Sequence, residues 1–194
     1  PEYSRLALEA LREPLENGRI SLSRARHQAE FPAQFQLIAA MNPCPCGYLG
    51  SKQPACRCVL EQVARYQGKL SGPLLDRIDM QVHVPAMPAD LLMQAPAGES
   101  SASVQARCQQ AHERALSRRG ISNHALSAAQ LQTLQVHAQA QQHVQQQAAR
   151  QGWSARAVHR VLRVAQTIAD LAQAEEIELS HVMQAMYFRM ALQP

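Results

Sequence analysis

With 194 residues, 46% of them hydrophobic but only 4% aromatic, the chain suits one large domain or two small ones with aliphatic, alanine-rich cores. Its formal net charge of +4 falls short of a dedicated nucleic-acid module while still permitting contact with phosphates. No run approaches the roughly 18 apolar residues of a membrane span, and the polar start Pro1-Glu2-Tyr3-Ser4-Arg5 lacks a signal-peptide pattern. The expectation is a soluble, cytoplasmic protein with no membrane partner. All basic residues except Lys52 and Lys69 are arginine, which suits bidentate phosphate or carboxylate recognition and equally reflects a GC-rich genome.

In chain order, Leu6, Ala10, Leu11 and Leu15 fall near helical spacing, predicting one amphipathic helix over 5–16 that Pro14 bends or ends late. Asn17-Gly18 gives a turn. Ile20-Ser21-Leu22-Ser23 alternates as a strand, Arg24-Ala25-Arg26-His27 forms the turn, and His27–Phe31 returns as a hairpin that Pro32 ends. Phe35–Met41 is short, apolar on both faces and stopped by Asn42-Pro43, as a central parallel strand would be. After a cysteine-bearing loop, Leu60–Leu70 reads as a helix, Pro73 starts a further helical turn, and Met80–Val84 alternates as a strand up to Pro85.

Residues 85–101, rich in Pro, Gly and Ser, read as a linker. Beyond it the pattern is all helical. Val104, Cys108, Ala111 and Ala115 make one apolar stripe ending near Gly120, with Cys108 read as core. Residues 128–151, rich in Gln and Ala, form a largely solvated helix pair. Ser154 caps a third helix with Val158, Val161, Leu162, Ala165, Ile168 and Ala169 on its inner face. Ser180 caps a fourth that turns Val182, Met183, Met186 and Met190 inward.

Several residues offer chemistry. Cys44, Cys46, Cys56 and Cys58 form C-x-C-x9-C-x-C, two close pairs that a Gly/Pro-containing loop can fold into a tetrahedral thiolate site. In a reducing compartment a disulfide is disfavoured. Zinc is the expected ion, with an iron–sulfur cluster or four unconnected thiols as alternatives. Asn42 ends the apolar strand, where open α/β sheets place ligand-binding groups, so its amide can meet a phosphate or orient water; it can equally cap a turn. Arg77 follows a Pro-started turn between Asp76 and Asp79. It can stabilise a transferring phosphate, including one across a subunit boundary, or simply pair with its acidic neighbours. Arg156 sits in the first turn of a helix, where the dipole disfavours a cation, a position suited to meeting an anion. Arg24, Arg26 and His27 at the hairpin tip suit phosphate-backbone contacts or form a solvated turn.

Four stretches carry a more specific signal: Leu11-Arg12-Glu13-Pro14-Leu15-Glu16, Ile38–Gly47, Leu70–Asp79, and Ser154-Ala155-Arg156-Ala157 leading to Ala165–Leu171. Together they resemble the bacterial magnesium-chelatase-related AAA+ ATPases of the ComM/YifB family, over nearly the whole chain. The resemblance implies an α/β fold, a partial AAA+ P-loop core over 1–90, with a hairpin insertion at about 19–31 and a cysteine loop at 43–59. A linker at 91–100 and an all-α helical lid over 101–194 follow. It assigns Asn42 to sensor 1, Arg77 to the arginine finger and Arg156 to sensor 2, and turns the hairpin toward the pore of a ring. It implies homo-hexamers that hydrolyse ATP with Mg2+ between subunits and act on DNA, with branch migration during uptake of foreign DNA as the role.

One departure bears on activity. The chain contains neither G-x-x-x-x-G-K-[ST] nor an apolar strand ending in Asp-Glu, and neither Lys52 nor Lys69 lies in a phosphate-cradling context. The resemblance therefore places both Walker motifs upstream of Pro1 and leaves this chain as a carboxy-terminal portion without ATPase activity of its own. Without the strand that carries the P-loop, Phe35–Met41 and Met80–Val84 would have open edges. Two other functions fit the same residues: a motor subunit of a metal chelatase, or a zinc-stabilised protein-interaction module whose Gln-rich helices dock partners.

Overall fold

A computed structural model describes residues 1–24, 27–51, 54–85, 87 and 96–190, with the side chains of Arg24, His27 and Met190 outside that set. The chain divides into two compact units, Pro1–Ile78 and Asp79–Pro194.

In the first unit, α1 (Arg5–Ala10) starts at Ser4, whose Oγ accepts from the Ala7 N–H at 3.2 Å. Leu11 ends α1 and opens α2 (Arg12–Asn17). The expected single helix over 5–16 is thus split one turn before Pro14. A proline offers no N–H to the carbonyl four residues earlier, and its ring crowds that oxygen. Here the carbonyl is that of Ala10, so α1 stops there and Pro14 lies in the first turn of α2, where an N–H has no helical partner anyway. Gly18, at φ +66, closes α2 by donating its N–H to the Pro14 carbonyl at 2.9 Å, and a Cβ there would press on Gln34 Cγ at 3.1 Å.

The predicted hairpin is present. Strands β1 (Arg19–Arg24) and β2 (His27–Pro32) pair antiparallel from Arg19↔Pro32 to Arg24↔His27, which puts Ile20, Leu22, Ala29 and Phe31 on one face. Arg19 and Glu30 form an ion pair at 3.0 Å on the other.

The two further strands expected from the sequence are not formed: among the described residues, the hairpin is the only sheet. Phe35–Met41 and Met80–Val84 run as irregular backbone. A strand apolar on both faces needs a hydrogen-bonded neighbour and cover on each side, yet Ile38 is 84% and Val84 82% exposed. No α/β core is therefore seen among the described residues, which are mixed helical with one small sheet. Around the irregular segment, α3 (Leu60–Gln67) and α4 (Gly72–Leu75) bury Val63, Tyr66 and Leu74 alongside Leu8, Pro14 and Cys44. Ser71 caps α4 by accepting from the Leu74 N–H, and Pro73 occupies its first turn as expected.

The second unit is helical. Its elements are α5 (Ser101–Arg119), a 3-10 turn (Asn123–Ala125), α6 (Ala128–Leu131), α7 (Ala138–Gln151), α8 (Ala155–Leu171) and α9 (Leu179–Met190). Ser154 caps α8 as predicted, accepting from the Ala157 N–H at 3.2 Å. Val161, Ala165 and Ala169 of α8 pack with Leu126, Leu131, Leu134, Ala140, Val144, Ile177, Val182, Ala185 and Met186. A parallel bridge between Val136 and Ile177 ties the loops before α7 and α9.

Three helical expectations change. Cys108 is exposed rather than core, because only the later part of its stripe, Ala111 and Ala115, is covered. Ser180 lies inside α9, whose first turn is instead joined by His181 Nδ1 accepting from the Glu178 N–H at 3.1 Å. Met183 is 54% exposed, so α9 turns Val182, Ala185 and Met186 inward. Asp79–Pro85 clusters with this unit, where the Gln81 N–H donates to the Phe188 carbonyl at 2.6 Å. Most of the expected linker lies outside the described residues. No helix among the described residues is long and apolar enough to cross a membrane.

Candidate functional site

The four cysteines predicted to chelate are brought together. Gly47 at φ +82 and Gly50 at φ +83 take left-handed conformations that turn the loop after the first pair. All four sulfurs lie within 4.8 Å of one another. Cys44 is fully buried, and the Sγ separations are 3.4 Å to Cys46, 3.7 Å to Cys56, and 3.6 Å between Cys46 and Cys56. Thiolates about 2.3 Å from a central ion at tetrahedral corners stand about 3.8 Å apart, so the cage matches a soft divalent ion in size and donor type.

The backbone supports that reading. N–H groups of Arg57 and Tyr48 donate to Cys46 and hold its thiol down at about 6. The Cys58 N–H acts likewise on Cys56, and the Cys46 N–H on Cys58. There, desolvation and the neighbouring thiols outweigh the donors, pushing Cys56 up and Cys58 up to about 12. An ion bound by four thiolates must therefore displace protons from Cys56 and Cys58.

Asn42 is exposed and stands against this loop: a Cβ placed on Gly47 would lie 3.8 Å from its Cγ. Its backbone N–H donates to the Tyr66 hydroxyl, which in turn donates to Glu2 at 2.9 Å. Burial, then Glu2, pushes the Tyr66 phenol up. Gln67 Nε2 donates to the Pro43 carbonyl at 2.9 Å, so α3 braces the chain on both sides of Asn42. Sequence reasoning missed Tyr66 and Gln67, since neither carries a motif.

Arg77 Nη1 donates to the Pro73 carbonyl at 2.7 Å and its Nη2 meets Glu16 of α2. Its side chain is only 14% exposed. The same helix reaches the hairpin, where Glu13 Oε1 accepts from the Ser21 N–H at 3.2 Å. On α1, Glu9 pairs with Arg12 at 2.7 Å and accepts from Ser71, the cap of α4; these two donors, Ser71 first, lower its carboxyl. The signal that could have found this set is the Glu9, Glu13, Glu16 spacing, one stripe along α1 and α2.

In the second unit, Arg156 is exposed at the second position of α8, in the predicted first turn. Arg160, one turn on, pairs with Asp79, and Arg163 donates through Nε and Nη2 to the Leu126 carbonyl at 3.1 and 2.6 Å. At the hairpin tip, Arg26 and the side chains of Arg24 and His27 lie outside the described residues.

Comparison with known proteins fits this set of parts. Residues 1–92 match the family model described as magnesium chelatase, subunit ChlI, and residues 98–189 match that of the ChlI C-terminal region. The chain is 44% identical to the uncharacterized protein YifB of Salmonella typhimurium, 41% identical to YifB of Escherichia coli, and 38% identical to the competence protein ComM of Haemophilus influenzae. Each alignment spans 97% of this chain and 37% of the relative. Over that span, the chain belongs to the magnesium-chelatase-related family that includes YifB and ComM.

Proposed function

We propose that this chain is the carboxy-terminal portion of a ring-forming AAA+ ATPase whose full-length product couples ATP hydrolysis to DNA remodelling of the helicase or branch-migration type. The observation that carries the reading is the 38% identity to the competence protein ComM along 97% of the chain. In this reading, a phosphate cradle outside the chain binds ATP and Mg2+, and the chain supplies accessory groups. Asn42 reads the γ-phosphate of its own subunit. Arg77 neutralises charge on the transferring phosphate of a neighbour in a hexamer. Arg156 meets the phosphates from the first turn of α8. Arg24, Arg26 and His27 contact the DNA backbone. The four cysteines hold Zn2+, which supplies a structural crosslink for the loop behind Asn42 rather than reaction chemistry.

The family description favours a second reading, a motor subunit for metal insertion by a chelatase. One experiment separates the two. ATP hydrolysis by the full-length gene product that contains this chain is measured alone, with single-stranded or branched DNA, and with a chelatase partner. The proposed function predicts several-fold stimulation by DNA. Stimulation by a chelatase partner with none by DNA would overturn it.

A further inference from the structure

The contact between α2 and Arg77 assigns a role to a residue that no motif marks. We propose that Glu16 is the positioning residue for Arg77. It fixes the guanidinium before a neighbouring subunit presents its phosphate. The proposal rests on the reading of Arg77 as a group acting in trans.

Arg77 reaches its contacts through a long side chain with many free rotamers. That freedom must be lost whenever the guanidinium is aimed at a reacting phosphate, and a group that is already fixed avoids the loss at the moment of reaction. Two of its contacts fix it here. The Pro73 carbonyl takes one arm of the guanidinium, and the Glu16 carboxylate takes the other. Both side chains are less than a third exposed, at 14% for Arg77 and 27% for Glu16. The contact lies at the surface, so its hold on Arg77 comes together with that of the Pro73 carbonyl and not from the charge pair alone.

The elements on either side are fixed as well. α4, which precedes Arg77, is capped at its other end by Ser71, which lies near enough to Glu9 to lower its carboxyl. Glu16 stands in the last turn of α2, which Gly18 terminates and which grips the hairpin through Glu13. Glu13 and Glu16 thus hold β1 and Arg77 from one short helix. Glu16 is the member that touches the guanidinium itself.

The test begins with the 194-residue chain and phenylglyoxal, which modifies accessible arginines, followed by peptide mass spectrometry. Wild-type Arg77 should react several-fold more slowly than Arg65, which is exposed on α3. Glu16→Ala should raise the rate at Arg77 several-fold while Arg12 and Arg65 keep theirs. An unchanged Arg77 rate overturns the proposal. If Glu16→Ala raises all three rates together, the unit has loosened, and Glu16→Gln decides: it keeps an oxygen acceptor and should give a smaller rise confined to Arg77, while no rise overturns the proposal. In the full-length gene product, Glu16→Ala should lower kcat about tenfold and leave KM unchanged, the mark of an interaction used in the transition state, with Glu16→Gln in between. A wild-type kcat in Glu16→Ala contradicts a positioning role. Arg77→Ala in parallel separates the two failures. If that variant hydrolyses ATP at the wild-type rate, the trans-acting reading of Arg77 is wrong, whereas the phenylglyoxal result stands on its own.

Discussion

A carboxylate with no exposed side-chain surface must be answered by donors, and Asp170 on α8 is answered from three directions. Arg118 of α5 meets it as an ion pair, Asn123 donates at 2.8 Å, and Gln166 donates at 3.2 Å. Removing one partner of such a buried set strands the other charge, at a typical cost of 3–5 kcal/mol. Asp170→Ala should therefore lower the unfolding free energy of the helical unit by roughly that amount in urea titration; a loss below ~1 kcal/mol would show that water already reaches Arg118. Glu9 makes the pH-dependent counterpart. Ser71 and Arg12 lower its carboxyl below the ordinary Glu value, so its contribution is present above the unfolded value of about 4.3 and is lost as pH falls through the folded one. Glu9→Gln should lower the first unit's stability at pH 7, where the ionised carboxylate contributes, and change it little at the acid end, so that the acid limb of the profile flattens. Neither pairing could be read from the sequence. Asp170 stands 52 positions from Arg118, and Glu9 stands 62 from Ser71 (71 − 9), so only folding pairs them.

Elements whose signals are local were legible. Ser154 as a cap, Asn17-Gly18 as a turn, Pro73 in the first turn of α4 and the hairpin's alternating pattern each act within a few residues, and each is found in place. Ser154→Ala should cost about 1 kcal/mol by removing the acceptor for the Ala157 N–H, measured against Ser101→Ala, an exposed change outside any cap contact. Glu13→Ala should release the Ser21 N–H and speed its hydrogen exchange while leaving the α8 amides unchanged. Signals that depend on distant partners misled. Phe35–Met41 has the composition of a buried strand, but composition does not supply the neighbour that makes a ladder. Cys108 and Met183 sit at helical spacing with buried residues, yet the covering surface ends before it reaches them. The break at Leu11 was missed because Pro14 acts on the carbonyl four residues earlier, not at its own position.

At the scale of the molecule, the two units carry different shares of the proposed chemistry. The first holds Asn42, the thiolate cage and Arg77; the second presents Arg156 on a helix with a well-packed inner face. The cysteine spacing made the cage legible, and the sulfur separations bear it out as a metal-sized cluster. Chain purified under reducing conditions should carry about one zinc ion, which replacing all four cysteines with serine should remove, with a lowered Tm; metal content that does not change with the cysteines would rule out the cage. The chain alone should not turn over ATP. The central claim is that Arg77 completes an ATP site belonging to a neighbouring subunit, and its most direct test is the steady-state ATPase rate of the full-length gene product with Arg77→Ala. The account predicts a fall in kcat of about 10³-fold or more with ATP binding retained, in line with the loss of an arginine finger; hydrolysis at the wild-type rate would contradict it.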